Sequence, residues 1–310
     1  PKDRAAIQRA RERGVVVTIA TGRLTGRTHP IAKSLGLDAP LVCADGGVLA
    51  CSTTERVLTE RALERELARE LLDTLHAADL SSFVFTHEHI HACGRGLSYH
   101  PYVRGWSHSI TTHDDVRTAE VLAGDGVIML AGIGPHEVVE PLRDLLARRT
   151  EGLEILAFDL GDARVLRVMT QGATKGAALL DLAARLGVRA EDMAVIGDWH
   201  NDLSMFEVAG HAFAMPAAPD ELKAVASHVL TEEAKRDGAD RRFSSEHRAN
   251  GLSLGLRVKR PQSINRPPRC RHGHVRLCQE VVMSASGAAH ATASIHPLCA
   301  EQTPRRYPTY

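Results

Sequence analysis

Ala194-Val195-Ile196-Gly197-Asp198-Trp199-His200-Asn201-Asp202 ends an apolar run in a turn that carries two carboxylates and an amide. A helix pattern begins directly after it. The run predicts a buried strand that delivers Asp198 to the carboxyl edge of a sheet, where ligands of open α/β sheets bind. The oxygens of Asp198 and Asp202 suit a hard cation such as magnesium, and the Asn201 amide can face that cation or a phosphate. Helix capping by Asp198 or Asn201 explains one polar residue at such a turn. Two acids and an amide together exceed what a cap needs.

Two further stretches carry candidate chemistry. Thr21 closes the β-branched run Val15-Val16-Val17-Thr18-Ile19-Ala20 and is followed by Gly22 and Arg23. Its hydroxyl and the free N–H groups of a turn at Gly22 can hold a phosphate oxygen, although a threonine that merely finishes a strand explains it as well. Arg23 can bind a substrate anion or form a salt bridge within the fold. Lys175, in Thr174-Lys175-Gly176-Ala177-Ala178-Leu179, falls in the first turn of a predicted helix. A cation there opposes the helix dipole and makes more sense with an anion beside it, while a solvated surface lysine remains the simpler reading. Asp45-Gly46-Gly47 reads as a plain turn.

The elements that must position these residues alternate as helix and strand. A helix over 2–13 precedes the continuous apolar strand 15–20, which reads as buried on both faces. A helix near 29–35 and a strand at 40–44 follow. The rhythm changes near Cys51. A short strand at 57–58, a helix over 63–75, two strands within 82–93 joined by a polar turn, a strand at 126–133, a helix over 135–149 and strands at 153–158 and 165–169 predict an α+β insert. Helix and strand then alternate again: helix 174–186, strand 193–197, helix 203–208, strand 212–215 and helix 219–226. The fold class is α/β, a Rossmann-like parallel sheet core with an inserted α+β domain. The expected division is core at 1–50, insert at 51–165, core again at 166–239, and a tail at 240–310.

Ala20-Thr21-Gly22-Arg23, Thr174-Lys175-Gly176 and, after an apolar strand, Gly197-Asp198-x-x-Asn201-Asp202, in that order along the chain with the insert between the first two, resemble the motifs of the haloacid dehalogenase-like phosphatases, Cof-type branch. The resemblance covers residues 1 to 239. It implies a magnesium-dependent phosphatase of small phosphorylated metabolites, with the insert as a cap that selects substrates. Thr21, Gly22, Arg23, Lys175 and Asn201 would then bind phosphate or substrate, and Asp198, Asn201 and Asp202 the metal, with bracing of Lys175 as the other role for Asn201 and Asp202. Thr21, Lys175 and Asp198 would carry catalysis. Asp45 falls where the family often has asparagine, which unsettles any inherited substrate preference.

The family's chemistry begins with an Asp-x-Asp-Gly-Thr segment on a central strand ahead of the opening helix. Its first aspartate attacks phosphorus and its second handles the proton. Residues 1–310 contain no such segment. The expectation is that this chain lacks phosphatase activity and that the strands flanking the central one lose a partner. Asp159-Leu160-Gly161-Asp162 is a poor substitute: its acids are three positions apart, on opposite faces of a strand, and lie within the insert.

Composition bounds the rest. The chain has 44% hydrophobic and 25% charged residues, as ordinary soluble domains do. No apolar run approaches membrane-spanning length, so no membrane partner is expected. Six cysteines without tight spacing do not suggest a disulfide framework and point to a reducing, cytoplasmic compartment. Residues 241–310 carry 12 Lys+Arg against 3 Asp+Glu, leaving 26 against 35 in residues 1–240. The acidic body argues against nucleic acid as partner. The basic, Pro/Arg-rich tail reads as disordered or as the product of a shifted reading frame. Its Cys270, His272, His274 and Cys278 match no zinc pattern. His87, His89 and His91 would share a strand face, but Thr86-His87-Glu88-His89 reads as a hairpin turn. No feature fixes an oligomeric state.

Overall fold

The computed structural model describes residues 2–118, 122, 126–149, 151–230 and 281–284. In chain order the regular elements are α1 (Lys2–Glu12), β1 (Val16–Ile19), α2 (Thr25–Leu35), β2 (Leu41–Cys43), β3 (Val48–Ala50), β4 (Val57–Glu60), α3 (Arg65–Ala77), β5 (Ser81–Phe85), β6 (Ile90–Cys93), α4 (His100–Val103) and β7 (Ile110–His113). They continue with β8 (Met129–Gly134), α5 (His136–Arg149), β9 (Leu153–Leu160), β10 (Ala163–Thr170), α6 (Lys175–Leu186), β11 (Met193–Gly197), α7 (Leu203–Val208), β12 (His211–Ala214), α8 (Asp220–Val225), β13 (His228–Val229) and β14 (Val281–Ser284).

The core is a five-stranded sheet in the order β1-β14-β11-β12-β13. β11, β12 and β13 run parallel, as strands linked by helices must. A parallel bridge between Ala20 and Val42 ties the end of β1 to β2, which belongs to a small antiparallel sheet with β3 and β4. α6, α7 and α8 cover one side of the core, where Ala178, Leu179, Leu182, Val195, Met205, Phe206 and Ala212 close together.

β14 pairs antiparallel with both β1 and β11. It lies between the two strands that the sequence left facing an empty central position. The reading of 240–310 as disordered needs this correction: a four-residue run in the tail forms a strand, because it supplies backbone partners to two buried neighbours. The other tail residues, including the Cys/His group, lie outside the described residues.

The insert is a six-stranded sheet in the order β7-β6-β5-β8-β10-β9. Its faces follow the two-residue period of a strand. Phe83, Phe85, Ile90, Ala92, Met129, Ala131 and Val165 join the central hydrophobic cluster with Leu24, Cys43 and Val48 of the core. Val84, Leu130, Leu166 and Val168 face the other way, under Leu71, Leu72 and Leu75 of α3 and Val139, Leu142 and Leu146 of α5. The insert extends beyond the expected boundary at 165. β10 pairs with β9 as far as Thr170 because the hairpin zips along its whole length. Thr86 N donates to His89 O at 3.0 Å, the predicted hairpin turn.

Cys43 and Cys93 are buried thiols. Cys51 is disulfide-bonded, a bond that the cysteine spacing did not suggest. Among the described residues no helix is long and apolar enough to cross a membrane.

Candidate active site

Two loops meet at the carboxyl edge of the core. Thr21 N donates to Val42 O at 2.9 Å, extending the β1–β2 contact by one bond, and the chain then turns. The Thr21 hydroxyl accepts from Arg23 N at 3.2 Å and closes that turn. The loop after β2 zips onto it: Ala44 N donates to Arg23 O at 2.9 Å and Asp45 N to Thr21 O at 3.0 Å. Ala44 and Asp45 both take left-handed backbone, with φ of 48° and 53°, which side chains disfavour. Gly46 follows at φ 99°, and a Cβ there would stand 2.1 Å from Thr174 O. Only glycine lets this loop touch the start of α6.

Thr174 caps α6 by accepting from Ala177 N at 3.2 Å. The next residue, Lys175, is fully buried. Its ammonium donates to Asp202 Oδ1 at 2.7 Å and lies 3.8 Å from Asp45 Oδ1. A surface lysine is therefore excluded, and the anions that the helix position called for are Asp202 and Asp45. α6 approaches α7 closely enough for this pair because a Cβ on Gly176 would fall 2.0 Å from Ser204 O.

Asp202 is fully buried too. Its Oδ2 accepts from Asp198 N at 2.8 Å and Trp199 N at 3.0 Å. One oxygen of Asp202 thus holds Lys175 and the other holds the turn that carries Asp198. Asn201, expected to face a cation or phosphate, donates from Nδ2 to Asp45 Oδ1 at 2.7 Å. A carboxylate only accepts, which fixes the amide orientation. Asp198 is half-buried at the end of β11, Gly22 is buried in the Thr21 turn, and Arg23 is half-buried beside it. Arg23 makes no salt bridge among the described residues. Its charge, after burial, lowers the proton affinity of the Arg27 guanidinium.

Thr21, Lys175 and Asp198 thus belong to one network, linked through Asp45 and Asp202. Sequence reasoning missed two of its members. Asp45, read as part of a plain turn, is 4% exposed and sits at the centre. Arg167, on β10, is also 4% exposed. It is ion-paired with Asp45 and lies over the rings of Trp106 and Phe158, 5.6 and 5.5 Å from their centroids. A signal for Arg167 existed, since one charge within Val165-Leu166-Arg167-Val168-Met169 implies a buried partner. Two cations and two anions, all nearly excluded from water, offset one another as buried charges must.

A family model for haloacid dehalogenase-like hydrolases matches residues 1–240. The chain belongs to the haloacid dehalogenase-like hydrolases. Curated relatives in this family include a 5-amino-6-(5-phospho-D-ribitylamino)uracil phosphatase, YwtE, of Bacillus subtilis, 28% identical over 74% of this chain and 85% of its own length. An HMP-PP phosphatase of Serratia proteamaculans is 27% identical over 73% of this chain and 80% of its own. A phosphoglycolate phosphatase of Methanoculleus marisnigri is 26% identical over 73% and 79%. These relatives are phosphatases of small phosphorylated metabolites. Among solved structures, a haloacid dehalogenase-like hydrolase of B. subtilis shares the fold at a TM-score of 0.62, with 24% identity over 73% of this chain and 86% of that one. Another, from Bacteroides thetaiotaomicron, matches at 0.60, with 24% identity over 73% and 85%.

Among the described residues no group of three or more His, Cys, Asp or Glu could hold a metal ion by itself. Magnesium does not require one. It commonly takes one or two carboxylates and completes its shell with water and substrate phosphate. Asp198, half-buried at a strand end, fits as such a ligand in this hydrolase.

Proposed function

We propose that this site serves a magnesium-dependent phosphomonoesterase of small phosphorylated metabolites, Cof-type in its cap. The observation that carries the proposal is Lys175, fully buried and held by Asp202 within one network with the Thr21 turn. Burying an ammonium at a helix start is costly unless anions stabilise it, and a transferring phosphoryl group is the anion that this family brings there. The Thr21 hydroxyl, which can donate while it accepts from Arg23 N, and the N–H of Gly22 hold phosphoryl oxygens. Lys175 offsets their charge, with Asn201 and Arg23 at the margin of the ligand. Asp202 keeps Lys175 aimed. Asp198 is the metal ligand, and the bound ion would supply charge neutralisation and alignment of the reacting oxygens. The relatives' activities on phosphorylated metabolites support the substrate class.

The nucleophile of this chemistry is the first aspartate of an Asp-x-Asp-Gly-Thr segment, which residues 1–310 do not contain. The second reading is a noncatalytic protein of the same fold that binds phosphate ligands. The antiparallel β14 between β1 and β11 favours that second reading for the isolated chain. Phosphate release across a panel of sugar phosphates, nucleotide-like cofactors and pyridoxal phosphate tests both. Joining an upstream segment of that type should give turnover that needs magnesium and is lost in Lys175→Ala. Turnover indifferent to Lys175, or none after joining, would overturn the proposal.

A further inference from the structure

Asp45 is a carboxylate seated among groups that suit an incoming anion. Its Oδ1 accepts from Asn201 at 2.7 Å and lies 3.8 Å from the Lys175 ammonium. Both its oxygens come within 3.1 Å of the point where a Cβ on Gly22 would stand, so the carboxylate presses on the Thr21 turn itself. Its backbone N–H is tied to Thr21 O. The left-handed backbone at Ala44 and Asp45, two residues that carry side chains, keeps the carboxylate in this position despite the conformational cost. The cap adds a second cation, because Arg167 reaches down from β10 between Trp106 and Phe158 to pair with the same carboxylate.

We propose that Asp45 is the specificity-determining residue of the site: a resident anion that makes it select phosphate monoesters by the charge of their alcohol part. This rests on the phosphate-binding reading above. A ligand that places its phosphoryl group against Lys175 and the Thr21 turn has Asp45 beside its ester oxygen. An alcohol part bearing an ammonium or a hydroxyl gives Asp45 a donor to accept from. One bearing a carboxylate meets like charge at short range in a site poor in water, where such repulsion is strongest. Arg167 and Lys175 offset part of the Asp45 charge, so the discrimination is the part that these pairs leave.

The probes are phosphoethanolamine and phosphoglycolate, which are similar in size and opposite in the charge of the alcohol part, together with inorganic phosphate. Binding is measured by calorimetry on the full chain. The wild type should favour phosphoethanolamine over phosphoglycolate by at least about tenfold. Asp45→Asn should bring that ratio to within about twofold or invert it, and should tighten inorganic phosphate about tenfold. Since Asp45→Asn leaves the Arg167 guanidinium without this partner, Asp45→Asn with Arg167→Gln is the companion variant, and it should show the same loss of discrimination. An unchanged ratio in both variants overturns the proposal. Lys175→Ala separates this outcome from failure of the phosphate-binding reading. If Lys175→Ala abolishes binding of all three probes while the Asp45 variants leave the ratio alone, the cradle stands and the role of Asp45 falls. If Lys175→Ala changes nothing, the cradle reading falls with it.

Discussion

Replacing Asp202 by alanine removes three bonds at once: the one from Lys175 at 2.7 Å and those from the Asp198 and Trp199 amides at 2.8 and 3.0 Å. Lys175 and Asp202 are both fully buried, so the ammonium left behind is poorly hydrated. Its next anion, Asp45, is 3.8 Å away and shared with Arg167. Breaking a buried pair from one side costs roughly 3–5 kcal/mol, and that is the loss expected for Asp202→Ala. Asp202→Asn keeps an oxygen for the two amides but turns an NH2 donor toward the Lys175 ammonium, losing the charge and that one bond, so about 1–3 kcal/mol is expected. Urea unfolding followed by tryptophan fluorescence measures both, with Trp199 as a reporter beside the site. A third variant isolates the pair term. Lys175→Met with Asp202→Leu should recover part of the alanine loss, because a packed apolar pair of similar volume often matches a buried ion pair. If Asp202→Ala falls within about 1 kcal/mol of wild type, Lys175 does not depend on Asp202 and the bracing argument fails.

Gly46→Ala should destabilise the protein by on the order of 3 kcal/mol, since it combines left-handed backbone with a Cβ 2.1 Å from Thr174 O. Its phosphate affinity should fall as well, because the loop that carries Asp45 must leave α6. Stability near wild type by urea titration would contradict this contact. His29 gives a pH dependence. It is 5% exposed, and burial lowers its proton affinity against the opposing pull of Glu55 and of a bond that the ring donates to the Cys51 carbonyl. The folded pKa thus lies below the unfolded one, so the unfolded chain takes up the proton first. Stability falls as pH drops below about 6.5. His29→Gln should narrow the difference in urea midpoint between about pH 7.5 and about pH 5.5, and an unchanged difference would refute the assignment.

Much of this architecture was legible because local and global signals agree. Val15 to Ala20 is a β-branched run that reads as a buried strand, and β1 is one. Thr174 and Gly187 bracket α6 as a cap and a left-handed stop, with φ 66° at Gly187. Lys175 stood out because a cation is unfavourable at a helix start, and its two anions explain it. Asp45 was hidden for a physical reason. Asp-Gly-Gly has turn composition whether the carboxylate points to water or inward, and the inward choice is set by long-range contacts with Asn201 and Arg167. β14 was hidden differently: four residues in a basic tail carry too short a pattern to mark a strand, and its partners are distant in sequence. The end of β10 at Thr170 was missed because strand length there is set by pairing with β9 rather than by local preference.

Tungstate mimics phosphate and scatters X-rays strongly. A crystal structure of the chain soaked with tungstate and magnesium, for wild type and Asp45→Asn, locates the anion directly. The anion should lie within hydrogen-bonding reach of the Thr21 hydroxyl, the Gly22 amide and the Lys175 ammonium, with a cation between it and Asp198. Tungstate bound elsewhere in both proteins, with Lys175 still turned only to Asp202, would contradict the claim that these residues form one phosphate site.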